Sequence, residues 1–199
     1  MPREPPGYEG RFDLFGWHLM HYVFRWKPTP PRRRPTLIDL GMGRGRDIIY
    51  FGRRGFRCSG VDASIDRIRK GRHRAARLGV PIRSWQADLR TFRFPRPFDV
   101  VYSSTSLNCL PPGIRERRFA HFRSMTVPGG LHAVNVFVPA RDPRPAPDLE
   151  GLGAAFRPGE LVTHYSRWRI LQSGVEERAC RFGGAPHRHA VEYVVARKP

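Results

Sequence analysis

Residues 37–45 read Leu37-Ile38-Asp39-Leu40-Gly41-Met42-Gly43-Arg44-Gly45: an apolar strand with an acidic residue inside it, then three glycines at alternate positions. A second apolar run ends at Val61-Asp62-Ala63-Ser64. Alternating glycines let a chain turn tightly and bring its backbone against a ligand with no Cβ in the way. In a sheet of parallel strands such ligands sit beyond the carboxyl ends of the strands. A glycine loop after one strand and a carboxylate after the next predict a doubly wound α/β domain with a crevice at that end.

Two cofactor classes use loops of this kind. The dinucleotide fingerprint is G-x-G-x-x-G, whose last glycine lets the following helix pack closely with its N-terminus toward a pyrophosphate. Here the third glycine, Gly45, arrives one residue early and Arg46 stands in its place. Asp39 lies two residues before the first glycine. S-adenosylmethionine (SAM) carries a sulfonium and an ammonium and no phosphate, so a carboxylate beside the loop suits it. Asp39, Gly41, Gly43 and Gly45 are therefore read as a SAM loop.

The next strand ends add to this. Asp62, with Ala63 beside it, is placed to accept both hydroxyls of a ribose, as the acidic residue of dinucleotide sites does. Asp88, with Leu89 beside it, ends the run Ile82–Ala87 and suits the adenine amino group. Ser103 and Ser104 end Phe98-Asp99-Val100-Val101-Tyr102. Any one of these would serve as a helix N-cap or turn residue. Four strand ends in register, each delivering a polar group, point to one crevice.

At 199 residues the chain is expected to be one domain, with an N-terminal helical extension and Pro/Arg linker over 1–35 and the core over 36–199. No apolar run approaches the roughly 20 residues of a membrane helix, and the start, Met1-Pro2-Arg3-Glu4-Pro5-Pro6, has no apolar signal segment. The expected compartment is the cytoplasm and no membrane partner is expected. Cys58, Cys109 and Cys180 are odd in number and form no C-x-x-C, so they read as free thiols and no metal site is expected. Net charge is +19, almost all from arginine. Such a field attracts small anions and nucleic acid alike. The arginines are scattered over most segments, however, and no RNA-binding module is visible.

Phe12, Phe15, Leu19, Tyr22, Val23 and Trp26 recur at helical spacing, which predicts an amphipathic helix. It would serve either as a lid over the cofactor or as a helix packed on the core. Strands are expected at about 36–40, 57–62, 82–87, 98–103, 131–138, 168–177 and 189–196. Helices are expected at about 45–53, from an N-cap at Ser64 to Leu78, from Pro112 to the Gly129-Gly130 pair, and at 159–166. The Pro- and Gly-rich stretch 139–156 is a candidate active-site loop.

At this point the chain resembles a known family. Ile38–Asp47, Gly55 and Gly60-Val61-Asp62 are similar to class I SAM-dependent methyltransferases. Phe98–Ser104 leading to Val127-Pro128-Gly129-Gly130, then Phe156–Leu161, Tyr165, Trp168 and Val195–Pro199, are similar to the tellurite-resistance (TehB-like) branch. The resemblance implies a seven-stranded Rossmann-like sheet with helices on both faces and an antiparallel last strand. It implies SAM contacts at Gly41, Gly43, Asp62, Asp88 and Ser103. It also implies a small methyl acceptor, an oxyanion of selenium or tellurium or a related soft nucleophile. Met42 replaces the small residue of the motif, and the family's His-Arg pair is not reproduced in place. Arg181, His187 and Arg188 lie nearby, and with His18 or His21 they are the candidate residues for binding an anionic acceptor. An O-, N- or S-methyltransferase of another small metabolite, and an RNA-binding or RNA-methylating protein, stay open as alternatives.

Overall fold

The computed structural model describes residues 14–27, 34–141, 151, 153–180 and 186–199. The chain alternates strands and helices: α1 (Leu14–Arg25), β1 (Thr36–Leu40), α2 (Arg46–Gly52), β2 (Arg57–Asp62), α3 (Ile65–Arg77), β3 (Ile82–Gln86), β4 (Phe98–Ser104), α4 (Pro112–Ser124), β5 (Thr126–Val138), α5 (Glu160–Thr163), β6 (Arg169–Cys180) and β7 (His187–Arg197). All seven strands form one sheet in the order β3-β2-β1-β4-β5-β7-β6. β1 pairs parallel with both β2 and β4, while β7 runs antiparallel to β5 and β6. The order reverses between β1 and β4, which is where a doubly wound sheet opens a crevice.

Strand alternation sorts the apolar residues onto two faces. Ile38, Leu40, Val101, Val134 and Val136 face Phe119 and Phe122 of α4 and Leu161 of α5. Leu37, Val100, Tyr102, Leu131 and Ala133 face α2, α3 and the Leu19, Met20 and Val23 stripe of α1. Those three α1 side chains are fully buried, and burial of each contributes roughly 1.5–3 kcal/mol. α1 is thus a core helix on β5, β7 and β4. Of the two roles open to it, lid or core packing, its described side chains take the second.

Local chemistry sets the helix starts. The Ser64 hydroxyl accepts the Arg67 N–H at 3.3 Å and caps α3, as its position predicts. Pro112 opens α4, where its missing N–H costs nothing. Two boundaries differ from expectation. β5 begins at Thr126, before the Gly129-Gly130 pair. Thr126 lies opposite Phe98, and Gly129 and Gly130 pair with Lys198, so the chain terminus takes up backbone groups that a turn would have left open. The last hairpin is also longer than expected. Cys180 lies opposite His187 and Arg178 opposite His189, so 178–180 and 187–188 belong to the ladder and not to a loop.

Candidate active site

The carboxyl ends of β1, β2, β3 and β4 surround a cavity of about 520 Å³. Its wall includes Gly41, Asp62, Ala63, Asp88, Leu89, Thr105, Ser106 and Cys109, and on the far side Gly151 and Gly153 of the long β5–α5 connection. Five predicted cofactor residues, Gly41, Asp62, Ala63, Asp88 and Leu89, meet here. The remaining residues of the 142–150 stretch lie outside the described residues.

Asp62 is the best-organised group. It is buried, its Oδ2 accepts the Gly43 N–H at 2.9 Å and its Oδ1 accepts the Ser64 N–H at 2.9 Å. Two backbone donors fix the carboxylate plane, one from the glycine loop and one from the start of α3. Each oxygen keeps a further lone pair for a ligand.

The three glycines divide the labour. Gly41 has φ +87°, and a Cβ there would collide with the Ser106 side chain. Gly43 has φ +52° and its N–H is spent on Asp62. Gly45 has φ +76° and a Cβ would stand 3.1 Å from the Gly71 Cα of α3. Gly43 and Gly45 therefore shape the loop from behind and do not line the cavity.

Two other expected contacts are placed differently. Asp39 is buried in the middle of β1 and does not reach the cavity wall; strand alternation turns it toward the face that holds Cys58. Ser103 is fully buried, and its hydroxyl donates to the Leu40 carbonyl at 2.8 Å, tying β4 to β1. Thr105 and Ser106, one turn further on, line the cavity in its stead. Asp88 does line it, but its carboxylate is engaged. Oδ2 accepts Arg90 Nε at 2.7 Å and Oδ1 accepts the Arg90 N–H at 2.8 Å. The hydrogen bond from the Arg90 side chain holds the Asp88 carboxyl below its ordinary range. Burial pushes the Cys109 thiol up, so it stays protonated and behaves as a small apolar wall.

The described members of the candidate acceptor set lie apart from this wall. His187 and His189 are buried at the start of β7, their Nε2 atoms 3.1 Å apart. Arg188 points to the other side of the strand, with Nε 3.4 Å from Glu177 Oε2. Arg181 and the His18 side chain lie outside the described residues. His21 packs edge-on against Tyr22 in the core helix. None of the described members of this set lines the cavity.

The cavity fits SAM on its own terms. Its volume is within the range of small-molecule sites. Along the sheet the fixed Asp62 carboxylate would hold the ribose hydroxyls, Ala87, Leu89 and Cys109 would flank the base, and the Gly41–Ser106 end would take the amino-acid part.

Comparison with known proteins agrees with this geometry. Residues 37–130 match the model of the methyltransferase domain family. TehB from Haemophilus influenzae superposes with a TM-score of 0.77 at 17% identity, covering 92% of this chain and 62% of TehB. Magnesium protoporphyrin IX methyltransferase (ChlM) from Synechocystis, with SAM bound, gives a TM-score of 0.65 at 15% identity over 92% of this chain and 80% of ChlM. A curated sequence relative, hemagglutinin 1 of Eikenella corrodens, is 25% identical over 135 residues, 68% of this chain. This chain spans 44% of that relative's length. Residues 37–130 thus match a methyltransferase domain, and the fold is like that of TehB and ChlM. The cavity and this likeness in fold agree on a site of the size and polarity of SAM.

Proposed function

We propose that the protein methylates a small acceptor that arrives already nucleophilic, such as an oxyanion of tellurium or selenium or another soft anion. One observation carries this reading: among the described residues, the cavity wall offers no base placed to remove a proton from an acceptor. Asp62 accepts two backbone N–H groups and Asp88 is held by Arg90, while Cys109 keeps its proton. An alcohol, or an amine that arrives protonated, needs such a base. An anion with a free lone pair needs only to be held in line.

When bound, SAM supplies a methyl group on a sulfonium, open to in-line displacement. The chain's own work is positioning, which can contribute about 7–11 kcal/mol of a barrier where two reactants are held in a near-attack arrangement. Gly41 and Ser106 define one wall of the reacting end. For the acceptor we assign Arg181, His187 and Arg188. Because β7 is antiparallel to β5, its start lies at the carboxyl end of the sheet, the same end as the cavity. The likeness in fold to TehB supports the choice of acceptor class, and the net charge of +19 favours an anion.

The test is a screen of the purified protein with SAM against tellurite, selenite, thiols, amines and RNA, read as S-adenosylhomocysteine release. Turnover of an oxyanion or thiol, lowered in Arg188→Ala and His187→Gln at unchanged SAM affinity, is the expected result. Methylation of RNA alone, or of an alcohol alone, overturns the proposal.

A further inference from the structure

Thr105 is the one non-glycine residue with positive φ among the described residues, at +53°. For a β-branched side chain this is a true outlier. It sits in the cavity wall, one residue beyond β4. Outliers of this kind persist only where surrounding structure imposes them, and they cluster at functional sites. One buried side chain contacts this residue directly. The Thr105 N–H donates to Asn135 Oδ1 at 2.6 Å. Asn135 lies on β5 opposite Ser104 and is fully buried. Its Nδ2 has no hydrogen-bond partner among the described residues. A buried amide that leaves its donor unspent is retained at a cost, and an apolar residue would serve the core better. Its accepting oxygen is therefore the part that matters.

The consequence runs into the glycine loop. The left-handed turn at Thr105 directs the chain so that Ser106 lands on Gly41. The Ser106 hydroxyl lies 3.3 Å from the Gly41 carbonyl and 3.1 Å from the Ser104 carbonyl, with one proton to share between them, and only a residue without a Cβ leaves it room at 41. We infer that Asn135 is a positioning residue of the methyl-transfer reaction: it pins Thr105 in a strained turn and so sets the end of the SAM cavity formed by Ser106 and Gly41. Asn135 acts on the cofactor through Thr105 and Ser106. The inference holds whatever the acceptor.

Two measurements test it, one without cofactor. At an ordinary loop position an Ala variant melts above a Gly variant, because Gly gains more freedom on unfolding. At a pinned positive φ the order reverses. Thr105→Gly is expected to melt above Thr105→Ala in the otherwise native protein, and in an Asn135→Ala background the ordinary order returns. The second readout is SAM affinity by calorimetry. Asn135→Ala is expected to weaken it at least tenfold. Asn135→Asp keeps the accepting oxygen but buries a carboxyl, so it loses melting temperature and yet stays within threefold of the native protein in SAM affinity. A Gly-over-Ala order that survives removal of Asn135 shows that something else imposes the turn. An Asn135→Ala protein that loses melting temperature but binds SAM as the native protein does makes Asn135 a core residue only. Either result overturns the inference.

Discussion

Replacing Asp62 by Ala is the most direct probe of how the cavity works. The carboxylate holds the Gly43 and Ser64 N–H groups at 2.9 Å each and, in the assigned pose, two ribose hydroxyls. A hydrogen bond to a charged group is worth about 1.5–3 kcal/mol net. Losing both diol bonds would cost about 3–6 kcal/mol if nothing replaced them. Water reaching the vacated space returns part of this, so the expected loss of SAM affinity is between about tenfold and a thousandfold. Calorimetric titration with SAM measures it, with near-ultraviolet circular dichroism to confirm that the fold is intact. Asp62→Asn sharpens the test. Both Asp62 oxygens face backbone donors, so an amide would set its own NH₂ against Gly43 or Ser64. Asn should therefore behave nearly as badly as Ala, although it is isosteric with Asp. SAM affinity within threefold of native in a folded Asp62→Ala protein would refute the assignment of the ribose to Asp62.

Two further outcomes follow from buried polar groups. His132 is enclosed, with Nε2 2.7 Å from the Thr126 hydroxyl and Nδ1 2.9 Å from the Tyr165 hydroxyl, and burial pulls its pKa down to about 3. The unfolded chain therefore takes up a proton that the fold refuses. This stability is complete above the unfolded pKa near 6.5 and is lost as pH falls from there toward 3, at about 1.4 kcal/mol per pH unit; chemical denaturation at pH 7 and pH 5 should show His132→Gln lacking about 2 kcal/mol of the native protein's drop. Arg115, 2% exposed, donates to both Glu160 oxygens at 2.9 and 3.0 Å and to the carbonyls of Leu110 and Ala154. Arg115→Ala should lower stability by about 3–5 kcal/mol, and hydrogen exchange should show faster opening of 153–156, next to Gly153 in the cavity wall.

How much of this was legible in the sequence depends on whether backbone or side chain does the work. Gly41, Gly43 and Gly45 are forced by backbone geometry, and their spacing is visible in one dimension. The same holds for Asp62, whose place after β2 follows from the strand ending there. Ser103 and Ser106 show the limit. Both belong to the run Ser103-Ser104-Thr105-Ser106, and which hydroxyl faces the cavity depends on the turn at Thr105. That turn is set by Asn135, thirty residues on. A polar residue inside the apolar run of β5 was the available signal. Asp88 was placed correctly at its strand end, but its pairing with Arg90 is a choice among rotamers that spacing does not encode. The hairpin of β6 and β7 was drawn too short because its polar ends, Arg178 and His187–His189, look like a loop until a partner strand is present.

The charge of the chain bears on the acceptor in the same way. A net charge of +19 suggests a surface field that would draw nucleic acid. Yet several arginines work inside the fold. Arg115 holds Glu160 and the 153–156 segment, Arg118 is buried and donates to the Phe92 carbonyl, and the half-buried Arg46 pairs with Asp47 at 2.7 Å. A guanidinium is chosen at such places because its planar fork meets carbonyls and carboxylates together. Arginine abundance in this chain is thus partly structural, and it loses force as an argument for RNA. What remains specific is the cavity: a fixed carboxylate where SAM needs one, and no described base beside the reacting end. That combination is the ground on which an acceptor with its own negative charge is proposed.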